Sequence, residues 1–166
     1  MNDPSVYGIA AMALCVMAAL AISARVLRHW EQTPATARDQ RFMEARRAAY
    51  KTMNRETRAF HTALKEYLHK GVFALGSDDS WQLGQHRNAH RAGYADAQMV
   101  ASEPVLQASR DLNRFLAHAY GAICRLEKGE AREDENAGTA LALLRQSEPK
   151  LEALSSRMRK DLGLDS

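Results

Sequence analysis

The sequence predicts an all-α protein in which one membrane-spanning helix precedes an antiparallel bundle of about four helices. Residues 6–24 form an uncharged apolar segment near the start of the chain. Beyond it, apolar residues recur every three or four positions over several long segments, which is the spacing of a buried helical face. The chain has only 4 prolines and 9 glycines in 166 residues. That composition argues against disorder and against a turn-rich β protein.

The apolar segment is long enough to cross a bilayer. Its uncharged residues lie between Asp3 and Arg25, and they extend about 29 Å as a helix, close to the thickness of the hydrocarbon core. A cleaved secretory signal is the main alternative, since Ala19-Leu20-Ala21 has the form of a cleavage site, but no basic residue precedes the apolar run. We therefore expect residues 1–30 to be an anchor that binds the lipid bilayer through residues 6–24.

The charges that flank this segment predict its orientation. No basic residue precedes it, and four arginines follow it closely: Arg25, Arg28, Arg38 and Arg41. The positive-inside rule then places the N-terminus outside the cell membrane and the rest of the chain in the cytoplasm. The sequence has no dense basic cluster with interleaved aromatic residues, so we expect no nucleic-acid partner.

Residues 31–37, EQTPATA, are predicted to be a short linker before a bundle domain at residues 38–166. Pro34 disfavours helix in the residue before it, and Thr36 is a suitable cap for the next helix. That helix is expected from about residue 38 to residue 72. Its predicted buried stripe alternates spacings of three and four residues: Tyr50, Met53, Thr57, Phe60, Leu64 and Tyr67.

A basic face lies opposite this stripe on the same helix. It consists of Arg46, Lys51, Arg55, Arg58 and Lys65. We expect a solvated face, and the alternative is contact with lipid headgroups, because this helix would leave the membrane.

The second helix of the bundle is expected over residues 80–101 and has the weakest pattern. Its apolar positions would be Trp81, Ala89, Ala92, Tyr94, Met99 and Val100. Small residues such as Gly84 and Gly93 could allow close packing against a neighbouring helix. Ser102 and Pro104 then suit the start of a new helix.

The third and fourth helices are expected over residues 104–128 and 139–162, joined by a charged loop at residues 129–138. The third has apolar residues at helical spacing: Val105, Ala108, Leu112, Phe115, Leu116, Ala119, Ile123 and Leu126. The fourth has Leu141, Leu144, Leu151, Leu154 and Met158. Pro149 is expected to break or kink the fourth helix, with Ser147 as a cap for its second part. Short connections favour an antiparallel bundle, and the alternative is a stalk formed by the first helix, paired as a coiled coil with a second copy.

His86 and His90 are the only candidates for a metal site that the sequence offers. They stand four residues apart, so both project from one face of a helix, as in helical zinc sites. The motif HRNAH has Arg87 where a metalloprotease has glutamate, which excludes that mechanism. A site would need another ligand, such as Asp78, Asp79 or His118. Scattered histidines make such a pair unsurprising, so we assign no metal and no cofactor.

Motifs for other chemistry are absent from the sequence. It contains no glycine-rich phosphate loop, no GxSxG and no CxxC. Residues 133–135 are acidic, but they lack the alternating ligands and central glycine of a calcium loop. No catalytic residue or small-molecule substrate is identified.

The order of segments resembles a group of small single-pass membrane proteins of actinobacteria. The resemblance lies in the anchor, in EARRAAYKTMNRETRAF, in HRAGYADAQMVASEPVLQASRDL and in the closing RKDLGLD. In that group an anchor precedes an arginine- and alanine-rich helical bundle with a Y-A-x-A-x-x-V-A-S segment. The resemblance implies a bundle fold, and it implies no activity, substrate or site residues.

The sequence therefore leads to two hypotheses about function. The first is a non-enzymatic, membrane-anchored bundle that acts through a protein partner or self-association at the cytoplasmic membrane face. The second is an extracytoplasmic sensor or envelope module that holds a small ligand between its helices. The side of the membrane on which the bundle lies distinguishes the two.

Overall fold

The all-α fold class is confirmed. The computed structural model describes the backbone of residues 4–71 and 77–165, and the side chains of residues 22, 23, 37–71 and 78–165. Within these ranges the elements are α1 (Pro4–Lys70), α2 (Ser77–Gln98), α3 (Glu103–Lys128) and α4 (Ala137–Asp161).

The chain divides into two units, Met1–Phe42 and Met43–Ser166. The backbone of the first unit is helical over the predicted membrane span, residues 6–24. Apart from residues 22 and 23, the side chains of that span lie outside the described residues. In the described part of the chain, no helix combines the length and the apolar character needed to cross a membrane.

The expected interruption of the helix at residues 31–37 does not occur. Helix α1 is continuous through this segment, with Pro34 inside it. A proline within a helix removes one hydrogen bond and costs roughly 3 kcal/mol. Alanine, arginine and glutamine on either side favour helix, and local propensity is a weak guide that the surrounding chain readily overrides.

Contacts in the second unit show that α4 runs antiparallel to α1. The Tyr50 hydroxyl donates to Oδ2 of Asp161, near the end of α4, over 2.6 Å. Further along α1, Lys65 pairs with Glu148, near the middle of α4, over 2.8 Å. Residue numbers therefore fall along α4 as they rise along α1.

The directions of α2 and α3 each follow from two more contacts. Helix α2 is antiparallel to α1, because Gly93 approaches Met53 whereas Asp79 pairs with Lys70. Helix α3 is parallel to α1, because Ser109 lies against Met53 and the Tyr67 hydroxyl donates to Glu127, further along both helices. Consecutive helices are thus antiparallel, as in an up-and-down bundle.

The predicted stripe of α1 is confirmed as the centre of the core. Its six members, from Tyr50 to Tyr67, are all buried. Helix α3 adds a second stripe at the predicted spacing, comprising Val105, Leu112, Leu116, Ala119 and Ile123, and helix α4 adds Leu144, Leu151, Leu154 and Met158. Burial of these side chains is the main favourable term in the folding of the bundle.

The predicted apolar face of α2 is wrong. Trp81 and Met99 are 63% and 82% exposed. The face that packs on the bundle presents small residues and a histidine instead, and its members include His90, Gly93 and Ala97. A Cβ atom on Gly93 would lie 3.4 Å from Cα of Met53, so α2 approaches α1 closely there. The close approach favours a residue without a side chain at this crossing, and the large apolar residue that α2 buries is Leu83.

The predicted break in the fourth helix is also wrong. Helix α4 is continuous from Ala137 to Asp161 with Pro149 inside it. Ser147 does not cap a second helix. Its buried hydroxyl donates to the carbonyl of Leu144 over 2.7 Å. The same carbonyl accepts a hydrogen bond from Nε2 of His61 on α1 over 3.2 Å. Pro149 removes the backbone hydrogen bond to the carbonyl of Arg145, so these two bonds to Leu144 lie at the neighbouring position of the same turn.

A tyrosine–carboxylate hydrogen bond ties the helices together at each end of the bundle. At one end, the Tyr50 hydroxyl donates to Asp161 and accepts a hydrogen bond from the backbone N–H of Ser102 over 3.3 Å. At the other end, Tyr67 and Ser80 both donate to Oε1 of Glu127. The pKa of Tyr67 is raised to about 12. Burial of the side chain is the main cause, and the hydrogen bond to the Glu127 carboxylate is the second.

We predict that Tyr50→Phe lowers the free energy of unfolding by about 1–2 kcal/mol, because it removes the hydrogen bond to Asp161, which keeps its ion pair with Arg46, and leaves the Ser102 N–H without a partner. Tyr94→Phe is the matched control, since the structure shows no hydrogen bond from that hydroxyl, and it should change stability by less than about 0.5 kcal/mol. Urea unfolding of the full chain in mild detergent, followed by circular dichroism, measures both. An equal loss of unfolding free energy in Tyr50→Phe and Tyr94→Phe would contradict the stabilising role of the Tyr50 hydroxyl.

Candidate functional site

A cleft of about 440 Å³ lies between α2 and α3 in the second unit. The buried ring of Phe60 on α1 forms its base. Helix α2 contributes a ladder of side chains at helical spacing to one wall, and helix α3 contributes another to the opposite wall. The polar and aromatic members used below are Arg87, His90, Arg91 and Tyr94 from α2, and Asn113 and Tyr120 from α3.

His90 is the most buried polar group of the cleft, with 6% of its surface exposed. Its Nδ1 atom lies 3.1 Å from the hydroxyl of Thr57, which is buried on α1. Its ring stacks on Phe60, with the ring centroids 5.4 Å apart and the planes inclined by 22°. Burial lowers the pKa of His90, and the neighbouring Asn113 side chain partly opposes this. The ring is therefore neutral at pH 7.

Asn113 faces His90 from α3, and its side chain acts as a hydrogen-bond partner of the imidazole that raises the pKa of His90. Its Oδ1 atom is buried and makes no hydrogen bond of normal geometry with the described residues. A buried carbonyl oxygen without a partner costs about 1–3 kcal/mol. This oxygen is closed off within the wall of the cleft beside His90.

The cleft is positively charged and has no acidic residue in its lining. Arg87 places its guanidinium carbon 4.7 Å from the centroid of the Tyr120 ring, in a cation–π contact. Arg91 is exposed one helical turn later. Neither arginine forms an ion pair with any residue that the structure describes.

Burial also acts on the tyrosine that Arg87 covers. It is the first cause of the raised pKa of Tyr120, and contact with the Cys124 thiol is the second. Arg87 has the opposite effect: its positive charge favours the phenolate and so lowers the pKa of Tyr120. The neutral hydroxyl of Tyr120 is therefore retained at neutral pH beside an arginine, as a hydrogen-bonding group at the rim of the cleft.

The two histidines proposed as metal candidates lie in different environments. His86 is exposed and borders a shallow depression of about 60 Å³ between α1 and α2. His90 is buried, and one of its ring nitrogens is occupied by Thr57. Although His86 and His90 lie on one face of α2, their side chains therefore do not meet at a single metal site.

The additional metal ligands considered from the sequence are also dispersed. Asp79 pairs with Lys70 over 3.1 Å, and Asp78 accepts a hydrogen bond from Gln82 over 2.9 Å. His118 lies on α3 beside a different depression. Across the part of the chain that the structure covers, no three histidine, cysteine, aspartate or glutamate side chains come together in a way that could hold a metal ion.

The basic face of α1 is largely used within the bundle. Arg46 bonds through Nε to the carbonyl of Val100 over 2.8 Å and pairs with Asp161 over 3.3 Å. Arg58 and Lys65 pair with carboxylates of α4 over 2.9 Å and 2.8 Å. These cations therefore connect α1 to its neighbours and do not form a free surface for lipid headgroups.

Sequence reasoning missed most of the cleft. It singled out His90 as a ligand candidate and noted Arg87 only as the residue that excludes a metalloprotease. The available signal was the spacing of Arg87, Arg91 and Tyr94, which puts two cations and a phenol on one helical face. Asn113 gave no signal, because its position depends on how α3 packs against α2.

The comparisons with known proteins return no relationship: no protein-family model matches the chain, and no curated protein or solved structure is significantly similar to it.

The two buried histidines predict how stability depends on pH. Burial is the main cause of the lowered pKa of both His61 and His90 in the folded state, whereas histidine in the unfolded chain has a pKa of about 6.5. Their contribution to stability is therefore complete above about pH 6.5 and is lost as the pH falls from there toward the lower folded values.

We expect the urea midpoint of the full chain to fall between pH 7.5 and pH 5. The urea midpoint should change less with pH in His61→Gln and in His90→Gln. Each substitution removes an imidazole whose protonation differs between the folded and the unfolded chain. His118→Gln, at an exposed position, is the control and should keep the slope of the parent. A midpoint that does not change over this range would contradict the assignment of neutral, buried histidines.

Proposed function

We propose that this chain is a non-enzymatic helical-bundle protein, held at a membrane by residues 6–24, that acts by binding another protein at the cytoplasmic membrane face. The observation that carries the proposal is an exposed, uncharged stripe along the outer side of α2. Its members are Trp81, Gln85, Asn88, Ala92 and Ala95 on α2, together with Met99 in the turn that follows the helix. We call it the α2 stripe.

The helical positions of the α2 stripe spread over about 80° around the helix, since each residue advances by about 100°. All six side chains are exposed, and none is charged, although 26% of the whole chain is charged. Centres of protein interfaces are depleted in charge and enriched in tryptophan and methionine. Trp81 and Met99 stand at the two ends of the stripe, where they could serve as anchors for a partner.

The residues between these two anchors suit a helical partner. Asn88, Ala92 and Ala95 have short side chains, so a second helix could approach α2 closely along the middle of the stripe. A helix that lies along another is usually anchored by apolar side chains spaced i, i+3, i+4 and i+7, and here Trp81 and Met99 supply one anchor at each end of the stripe. We therefore name a helix of another protein as the occupant.

The non-enzymatic part of the proposal is supported by how the candidate acid–base groups are used. His61 donates to a backbone carbonyl, and His90 is held between Thr57 and Phe60. Both are buried in structural contacts. The carboxylates of Asp161 and Glu127 accept hydrogen bonds from tyrosines that join the helices.

The anchor is supported by the absence of charge over residues 6–24 and by the helical backbone of that segment. The cytoplasmic location is supported by the arginines that follow it. A reporter fused after Ser166 that is active only in the cytoplasm tests the location. Activity outside the membrane would contradict it and would favour the second hypothesis, an extracytoplasmic module that binds a small ligand.

Leu14→Arg combined with Met17→Arg should release the full chain from the membrane fraction, because each charge in the centre of a span costs roughly 3 kcal/mol. Phe42→Arg combined with Met43→Arg is the matched control, since both residues are exposed and lie outside the span. Sedimentation of cell membranes followed by immunoblotting gives the measurement. The anchor would be contradicted if both pairs behaved alike.

A photo-crosslinking amino acid at Asn88, in the full chain in its own membranes, tests the α2 stripe. We expect one discrete adduct with another protein, and Trp81→Asp should reduce its yield at least tenfold, because hot-spot tryptophans contribute roughly 2 kcal/mol or more. The purified partner identified from the adduct should then bind the parent chain more tightly than the Trp81→Asp variant.

The same crosslinker at Ser156, exposed on α4, is the control and should give no such adduct. An adduct of two copies of this chain would contradict the proposal in favour of self-association. Adducts from Asn88 that persist in Trp81→Asp would show that the α2 stripe does not bind the partner.

A further inference from the structure

We infer that the helix bound by the α2 stripe is acidic along one edge and basic along the other. Its acidic edge meets Arg91 and Arg87 of α2, and its basic edge meets Asp96. This inference rests on the proposed function and specifies the chemistry of the partner. It follows from the way in which charge is distributed on the two sides of the stripe.

The members of the α2 stripe have the spacing of a coiled-coil seam. From Trp81 to Met99 the intervals alternate between four and three residues, as positions a and d of a heptad do. Residues that flank such a seam, at positions e and g, form ion pairs with the partner helix and set its identity and direction. The two charged residues at these positions are Arg91 and Asp96.

Charges of opposite sign lie on opposite sides of the stripe. Each residue advances by about 100°, so Arg91 projects about 80° from the middle of the stripe, and Arg87 about 120° in the same direction. Asp78 and Asp96 project about 60° the other way. Neither arginine stands three or four residues from either aspartate, which is the spacing at which they would pair within the helix.

The rest of the bundle does not neutralise these charges. Neither of the two arginines and neither of the two aspartates forms an ion pair with any residue that the structure describes. Asp78 accepts a hydrogen bond from the uncharged Gln82 side chain over 2.9 Å. Arg91 and Asp96 are exposed, so both can pair with a partner helix without leaving an existing one.

The cleft between α2 and α3 adjoins the basic side of the stripe. Ala95 is a member of the stripe and also lines the cleft, together with both arginines. Arg87 is held over the Tyr120 ring, with its guanidinium carbon 4.7 Å from the centroid. An acidic side chain that extends from the bound helix past Ala95 therefore meets cations and no carboxylate. Arginine forms paired, charge-assisted hydrogen bonds with carboxylates.

The two charged edges also determine the direction of the bound helix. Turning that helix end for end on the stripe exchanges its edges, so that its acidic side chains would face Asp96 and its basic side chains would face Arg91. Juxtaposed like charges exclude wrong partners and wrong orientations at an interface. The stripe therefore accepts a helix with this charge pattern in one direction only.

A second copy of this chain is the main alternative occupant. Two α2 helices that run in the same direction would also bring Arg91 of each copy near Asp96 of the other. In that arrangement Gln85 and Asn88 would each face its own copy along the seam, where polar pairs reduce stability. A helix of another protein can instead place apolar side chains against the small residues of the stripe, which buries more apolar surface.

An exchange of the two flanking charges tests the pattern without changing the net charge. Arg91→Asp combined with Asp96→Arg, with the photo-crosslinking amino acid at Asn88 in the full chain in its own membranes, should lower the yield of the adduct at least tenfold. Asp111→Arg combined with Arg114→Asp is the matched control, because it exchanges the members of an ion pair on the surface of α3. It should leave the yield unchanged.

A zero-length coupling reaction identifies the acidic edge of the partner. A carbodiimide joins an amine to a carboxylate in direct contact with it, and it does not couple guanidinium groups. In Arg91→Lys we therefore expect a new amide bond to an aspartate or glutamate of the same partner, located by mass spectrometry. Arg114→Lys, in which the introduced amine lies outside the cleft, is the control and should give no such bond.

Equal adduct yields from the parent and from the exchanged chain, while Trp81→Asp still lowers the yield, would overturn this inference and leave the proposed function standing. Absence of the coupling product from Arg91→Lys, in membranes where the Asn88 adduct forms, would also overturn it. An adduct of two copies, or no adduct from the parent, would overturn both. If the exchanged chain loses its circular dichroism signal, the comparison of Arg91→Lys with Arg114→Lys still decides the question.

Discussion

Burial of one face of α1 is the constraint on which the rest of the bundle depends. The stripe from Tyr50 to Tyr67 contacts all three other helices. Its apolar members form the centre of the core, and its polar members hold particular neighbours in place. Thr57 is the clearest case, because its hydroxyl fixes the imidazole of His90 and thereby sets the position of α2 around α1. The cleft exists because α2 is held in this way while α3 packs on the other side of Phe60.

Two kinds of interaction hold the helices together, apolar contacts and directional hydrogen bonds. Apolar contacts supply most of the stabilisation but are tolerant of small shifts. Hydrogen bonds at the ends are directional, and each of them joins elements that are far apart in the chain. The Tyr50 hydroxyl links α1 to α4 and to the turn before α3, and Glu127 receives donors from α1 and α2. The directional bonds therefore select one arrangement among those that apolar packing would allow.

The sequence was sufficient for the helices and for the core of α1, α3 and α4, because a regular spacing of large apolar residues is a strong signal. It failed at α2, where the buried face contains Leu83, His90, Gly93 and Ala97, whereas Trp81 on the helix and Met99 just after it are exposed. It also failed at Pro34 and Pro149, since continuing helix and tertiary partners outweighed a local preference against helix. The cleft could not be predicted from the sequence, for a further reason. Its groups come from three helices, and only their relative rotation brings Asn113 and Arg87 to the same cavity.

The buried polar residues have a consequence for how the bundle can respond to anything that binds it. Sliding one helix past another by a turn, about 5.4 Å, is a common way for helical proteins to change state. Here such a step would separate His61 from the Leu144 carbonyl and Thr57 from His90. The imidazoles of His61 and His90 and the hydroxyl of Thr57 would then lose these partners in an apolar interior, at a cost of about 1–3 kcal/mol each, whereas the Leu144 carbonyl would keep its hydrogen bond from Ser147. The bundle is thus confined to a single register, and whatever approaches it meets a fixed pattern of side chains.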